Sequence, residues 1–326
     1  MTGSYLIRLL CLCMASFFLV HLALGTAMSL LAPAAIRRCQ WLRPQLAARL
    51  FLLLRLAPTG FSLFIVGGLL APSYFLLEPQ ATSEPIGWVC LAAAMLGLAV
   101  WSLSILRAAR AVGRSLRHIH HCERAARQTY LRGETKPVWL IEDPAPVVLL
   151  AGVLRSRLVI SRSVISALSS DQLSAVLRHE RAHSSSRDNF KRLLVLLTPG
   201  ILPFFRGFNQ VEHAWARVTE WAADDLAVAG DSHRSLTLAT ALVRVARLGA
   251  APAAPVLVTS LMPTGIDLSA RVDRLLDFVP GSPQWSRGAK LFSGGAGILL
   301  AASVAVAMAQ PIMLHAAHEL LEALIR

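Results

Sequence analysis

Residues 169–189 read SSDQLSAVLRHERAHSSSRDN, and the run His179-Glu180-Arg181-Ala182-His183 within them organises the reading of the whole chain. Ser169 followed by Gln172 fits the capping box, in which side chain and backbone satisfy each other at a helix start. Leu173, Val176 and Leu177 supply a buried stripe at helical spacing. The stretch therefore predicts a helix capped by Ser169 and running to about Arg187. Residues four apart share a helix face, so the imidazoles of His179 and His183 can converge on one divalent ion. Glu180 lies about 100° around the helix from His179. From there it can reach a water on the ion and act as its base.

A catalytic zinc takes three protein ligands and one water, so a third ligand is needed. Residues 218–225 read VTEWAADD on a second helical pattern. Glu220 and Asp224 are four apart and face the same way. The simplest assignment makes Glu220 the third Zn2+ ligand. Asp224 then accepts a hydrogen bond from the free ring nitrogen of a ligand histidine. His213, Glu212 and Asp225 compete for the third position. Ala222 and Ala223 are small enough to let the two helices approach closely. Arg217, three residues before Glu220, suits either an oxyanion-stabilising role or a structural salt bridge to Asp188 or Asp225, and the structural role is the one expected.

The composition places this chemistry at a membrane. The chain is 55% hydrophobic and only 16% charged. Residues 9–31, 56–77, 86–106 and 291–314 are apolar enough to span a bilayer, which needs about 20 residues. The first is expected to be a retained span rather than a cleaved signal peptide. Net charge is +13, concentrated in Arg37, Arg38, Arg43, Arg49 and Arg55 after the first span, and in Arg107, Arg110, Arg114, Arg117, Arg124, Arg127 and Arg132 after the third. The connection between the second and third carries Glu78 and Glu84 and no Lys or Arg. The positive-inside rule then puts the N-terminus outside and 107–290 in the cytosol of a bacterial-type inner (cytoplasmic) membrane. Anionic lipid accounts for the basic excess, so direct nucleic-acid binding is not expected. The five cysteines form no C-x-x-C pair and none lies beyond Cys122, which suits a reducing compartment.

Three regions follow: a membrane region of three spans over 1–106, a cytosolic zinc metallopeptidase domain over 107–290, and a last span with a short extracytoplasmic tail over 291–326. Residues 107–135 are Arg-rich and helical in pattern, a juxtamembrane linker whose His118, His120 and His121 read as a solvated face. Residues 138–141, 146–150 and 157–160 read as short strands, with Gly152 suiting a hairpin. These strands are either core sheet or an edge that holds an extended substrate. Residues 193–205, LLVLLTPGILPFF, are too short and too proline-broken for a span. One crossing there would also put Glu220 on the opposite side from His179. The stretch is therefore expected to be re-entrant, interfacial or packed between helices.

The run from Leu158 to Asn189, with TEWAADDLA at 219–227, resembles the membrane-embedded metallopeptidases of the beta-lactam sensor and antirepressor (BlaR/MecR-like) family. Their pattern is H-E-x-x-H-x-x-x-x-D, an apolar stretch with proline, then E-x-x-x-D. His179, Glu180, His183, Asp188, Glu220 and Asp224 occupy those positions. The related HtpX-type and prenyl-protein peptidases share E-x-A-D and an Arg three residues before the Glu, matching Arg217. The resemblance is close over 140–230. It implies a mainly α integral membrane protein of about four spans, with a cytosolic α+β gluzincin-like domain: a small β-sheet plus the H-E-x-x-H helix. It also implies a zinc endopeptidase that cleaves a soluble repressor or a membrane protein after a signal. About 12 residues follow the fourth predicted span, so no penicillin-binding sensor domain is expected, and the signal would come through the spans or a membrane sensor partner. A quality-control protease and a non-catalytic zinc scaffold are the alternatives.

Overall fold

The computed structural model describes residues 3–78, 86–131, 137–153, 156–200, 206–249, 257–260, 268–278 and 310–325. Three helical stretches among them are long and apolar enough to cross a membrane. The first is α1 (Gly3–Cys39). The second begins as α2 (Pro44–Ile65), passes through a π-helical turn at Val66–Leu70, and continues as α3 (Ala71–Leu77). The third is α4 (Trp88–Ala125). The first three predicted spans lie within these helices, give or take a residue or two at the start of α4.

Leu12, Ala15, Phe18, Tyr74, Cys90, Ala93 and Ala94 form the core between them. Leu10, Leu53, Phe61 and Leu96 point outward, as lipid-facing residues do. Gly97 lets α4 approach α1 closely: a Cβ there would stand 2.6 Å from the Met14 carbonyl oxygen. The π-helical turn contains Gly67 and Gly68, the residue type that most readily accepts a local change of helical pitch.

α4 runs unbroken past Leu106 to Ala125, and strand β1 (Ala126–Thr129) follows directly. The expected juxtamembrane linker is therefore the C-terminal half of a single helix. Its 38 residues span about 57 Å, well beyond a bilayer's hydrocarbon core. His120 and His121 are exposed on it, and His118 is half-buried with its Nε2 3.7 Å from Cys122 Sγ.

The sheet adds β2 (Val138–Ile141), β3 (Val148–Ala151), β4 (Arg157–Ser161) and β5 (Val258–Ser260), in the order β1-β2-β4-β3-β5. β3 and β4 are the expected hairpin, antiparallel with Leu149 opposite Val159. Gly152, at φ 103°, adopts a conformation that favours glycine. β2 pairs parallel to β4, and β5 closes the far edge against β3.

Next come α5 (Arg162–Ala167), α6 (Ser170–Ser186), α7 (Asp188–Leu197), α8 (Arg206–Val228), α9 (Ser232–Arg247) and α10 (Leu268–Leu276). Ile160, Val164, Val176, Val228, Leu238, Leu242 and Leu275 pack into one core between sheet and helices. α7 takes up the start of the 193–205 stretch, and α8 resumes at Arg206. Gly207 of α8 lies so close to α1 that a Cβ would stand 2.4 Å from the Ser29 carbonyl oxygen. Residues 201–205 of the stretch lie outside the described residues, and the chain on both sides of it reaches one site.

Most of the fourth predicted span, 291–314, lies outside the described residues. The part expected to be a tail is helical: α11 (Pro311–Ile325) packs on α1 and α3. His318 Nε2 stands 3.7 Å from Glu78 Oε2, and Glu78 pairs with Arg8 at 3.1 Å.

Candidate metal and peptidase site

α6 begins as expected. Ser169 Oγ accepts from the Gln172 N–H, and Gln172 Oε1 accepts from the Ser169 N–H. The helix ends at Arg187, whose left-handed conformation (φ 54°, ψ 43°) turns the chain directly into α7. This cap fixes α6 so that His179, Glu180 and His183 all face the interior, each 1% exposed or less.

α8 crosses α6 with Glu220 and Asp224 on the facing side, at 5% and 0% exposure. His179 Nε2 and His183 Nε2 stand 3.1 Å apart. One Glu220 oxygen lies 3.6 Å from His179 Nε2 and the other 3.6 Å from His183 Nε2. A tetrahedral zinc with bonds of about 2.0–2.1 Å sets its ligand atoms about 3.3 Å apart. The three separations bracket that value. Among the described residues, His179, His183 and Glu220 are the group whose donor atoms, all within 4.8 Å of one another, could hold a metal ion.

The outer nitrogens of both imidazoles face carboxylates. His183 Nδ1 lies 2.8 Å from Asp188 Oδ2, and His179 Nδ1 lies 2.9 Å from Asp224 Oδ1. Such partners orient ligand histidines so that their inner nitrogens face the ion. Asp188 is further held by Lys191 Nζ at 2.8 Å. Asp224 is gripped by both arms of Arg271, at 2.9 and 2.7 Å. Arg271 also places Nη1 3.3 Å from Glu220 Oε2.

Glu180 differs from its neighbours. Both its carboxylate oxygens are buried without a hydrogen-bond partner. An unpaired buried carboxylate is costly, and a water on a metal is a partner that would satisfy it. Burial pushes its pKa up to about 7 against the opposing pull of His179 and His183. Burial alone would lower His183, but Glu220, Asp188 and Glu180 overcome it and raise the imidazole to about 10. Burial would raise Asp224, yet Arg271 and His179 hold it at about 2. Glu220 is driven well below the usual carboxylate range, its burial outweighed by His183, His179 and Arg271. The pocket is thus built to keep Glu220 and Asp224 ionised. Glu180 alone is poised near neutrality.

Residues 121–248 match peptidase family M48. No curated protein matches the chain. The matched segment contains His179, Glu180, His183, Glu220 and Asp224, and the match supports a metallopeptidase, a class that is typically zinc-dependent. With the three apolar helices it supports a membrane-associated metallopeptidase.

The rival third ligands are engaged elsewhere. Glu212 pairs with Arg55 at 2.6 Å, Asp225 pairs with Arg274 at 2.6 Å, and His213 is exposed two turns before Glu220. Arg217 stacks over the Trp221 ring, 5.5 Å from its centroid. Its expected acidic partners are taken by others: Asp188 by His183 and Lys191, Asp225 by Arg274.

Arg271 was not anticipated from the sequence. A signal existed: it sits three residues after Leu268 and four before Leu275, on the apolar stripe of α10, where a charge must be paired.

Proposed function

We propose that this protein is an integral-membrane zinc metalloendopeptidase that cleaves a cytosolic or membrane protein, as a regulated, antirepressor-like protease. The observation that carries the reading is the buried trio of His179, His183 and Glu220, with the unpaired Glu180 carboxylate beside it. Three donors rather than four leave a position for a water, which favours catalysis over a closed structural site. The Arg-rich cytosol-proximal halves of α1, α2 and α4 support a peptidase domain on the cytosolic side.

His179, His183 and Glu220 would hold the zinc, and Asp224 and Asp188 keep the two imidazoles aimed. When bound, zinc polarises the scissile carbonyl and lowers the pKa of a water to about 7. Glu180 takes that water's proton and passes it to the leaving amine as the peptide C–N bond breaks. Its poise near neutrality lets it serve both steps at physiological pH.

The test is purified Glu180→Ala protein in detergent or nanodiscs. It should retain zinc and lose proteolysis, whereas His183→Ala should lose both. Undiminished cleavage by Glu180→Ala would overturn the mechanism. A protein that accumulates uncut in a Glu180→Ala strain would identify the substrate. A cut repressor supports the signalling role, and a set of damaged membrane proteins overturns it in favour of quality control.

A further inference from the structure

We propose that Arg55 and Arg107 are positioning residues that set the metal site from within the membrane region, through α7 acting as a strut. The inference rests on the zinc reading above and adds how the spans reach the site.

α7 is a ten-residue helix, about 15 Å long. Its first residue, Asp188, lies 2.8 Å from His183 Nδ1. Asn189 fixes the same end to the sheet, donating from Nδ2 to the Leu150 and Gly152 carbonyls at 3.0 and 2.9 Å. Arg192, one turn on, lies 4.0 Å from Glu220 Oε1.

The far end of α7 carries carbonyls that no helical N–H can reach, and with them the negative end of the helix dipole. Two guanidinium groups from different membrane helices meet those carbonyls. Arg55 of α2 donates to Val195 O, Thr198 O and Pro199 O at 3.3–3.4 Å. Arg107 of α4 donates from Nη2 to Leu196 O at 3.1 Å, and to Thr198 O and Val195 O at 3.4 and 3.5 Å. Arg55 also pairs with Glu212 at 2.6 Å. Glu212 lies on α8 about 12 Å before Glu220.

Arg55 therefore touches α7, which carries Asp188, and α8, which carries Glu220 and Asp224, and its side chain is only 2% exposed. A guanidinium buried among apolar spans is stable only with its partners in place, so it holds them firmly. Any displacement of α2 relative to α4 must pull on the end of α7. Because α7 is rigid, the pull arrives at Asp188 and hence at His183.

The test is a double-mutant cycle on zinc affinity, measured with full-length protein in nanodiscs by competition against a chromogenic chelator. Asp188→Asn should weaken zinc binding by 10–100-fold, the usual cost of losing such a partner. Arg107→Ala should weaken it about tenfold. The double variant should match Asp188→Asn within about twofold, because both act along one route. A plain stabilising role for Arg107 would instead give additive losses, and that result overturns the strut. So does an Arg107→Ala affinity within twofold of wild type.

Should Arg107→Ala fail to fold, Glu212→Gln runs the same cycle under the same criteria. That carboxylate is a third exposed and holds Arg55. Wild-type protein that binds no zinc would overturn the zinc reading itself, and the strut with it. An unchanged affinity in the variants overturns the strut alone.

Discussion

Replacing Arg271 by methionine removes the guanidinium that Asp224 and Glu220 share. The volume is roughly kept, so the loss is electrostatic rather than a cavity. Asp224 loses two hydrogen bonds, at 2.9 and 2.7 Å, and Glu220 loses an ion pair at 3.3 Å. Removing one partner of a buried pair costs about 3–5 kcal/mol, because the remaining charge stays buried and uncompensated. A bound zinc neutralises Glu220, so that only the lost contacts to Asp224 still count, and the cost falls to roughly half, about 2 kcal/mol. The expected outcome is a melting temperature lowered by roughly 10 °C without metal and by about half as much with zinc. Tryptophan fluorescence follows this, since Trp221 packs against Arg217 and Arg274 beside the site. Arg271→Met protein that melts within about 1 °C of wild type, with and without a chelator, would refute the role assigned to Arg271.

Zinc binding should release protons. His183, raised to about 10 in the metal-free site, is protonated at pH 7.5 and must deprotonate to bind. Affinity should therefore tighten as pH rises from 6 to 9, by up to about tenfold per unit, and calorimetry in buffers of different ionisation heat measures the proton count. The sign for stability is opposite: the His183 pairing supports the metal-free fold fully below about pH 6.5 and is lost as pH climbs through 10. Gly207→Ala should destabilise by about 1–3 kcal/mol, because its methyl meets Ser29 backbone at 2.4 Å. Gly60→Ala is its control: nothing lies within 4 Å of the added carbon, and thermal unfolding should show a gain of up to about 1 kcal/mol. Ser169→Ala should cost about 1 kcal/mol and speed hydrogen exchange in the first turn of α6, since it breaks the cap that Ser169 and Gln172 form together.

The parts of this molecule that sequence reasoning reaches are those specified over a few residues. The capping box at Ser169, the shared face of His179 and His183, and the four-residue spacing of Glu220 and Asp224 each follow from one helical period. The first three spans are visible because a bilayer demands a long apolar run. What escaped depends on tertiary packing. Arg271 meets Asp224 across 47 residues, and no local pattern names its partner. Arg55 and Arg107 read as part of a positive-inside signal, and their caps on α7 emerge only once three helices meet. β1 reads ARQT and β5 has only three residues, so neither carries an alternating pattern. α4 outruns its apolar run because its Arg-rich half is helical in its own right, which separates the end of that run from the end of the helix.

The metal content of protein purified without chelators tests the account most directly. Wild type and Glu180→Ala should each carry one zinc per chain, and His183→Ala and Glu220→Ala should carry little or none. Metal-free wild-type protein, or full zinc retention in Glu220→Ala, would contradict it.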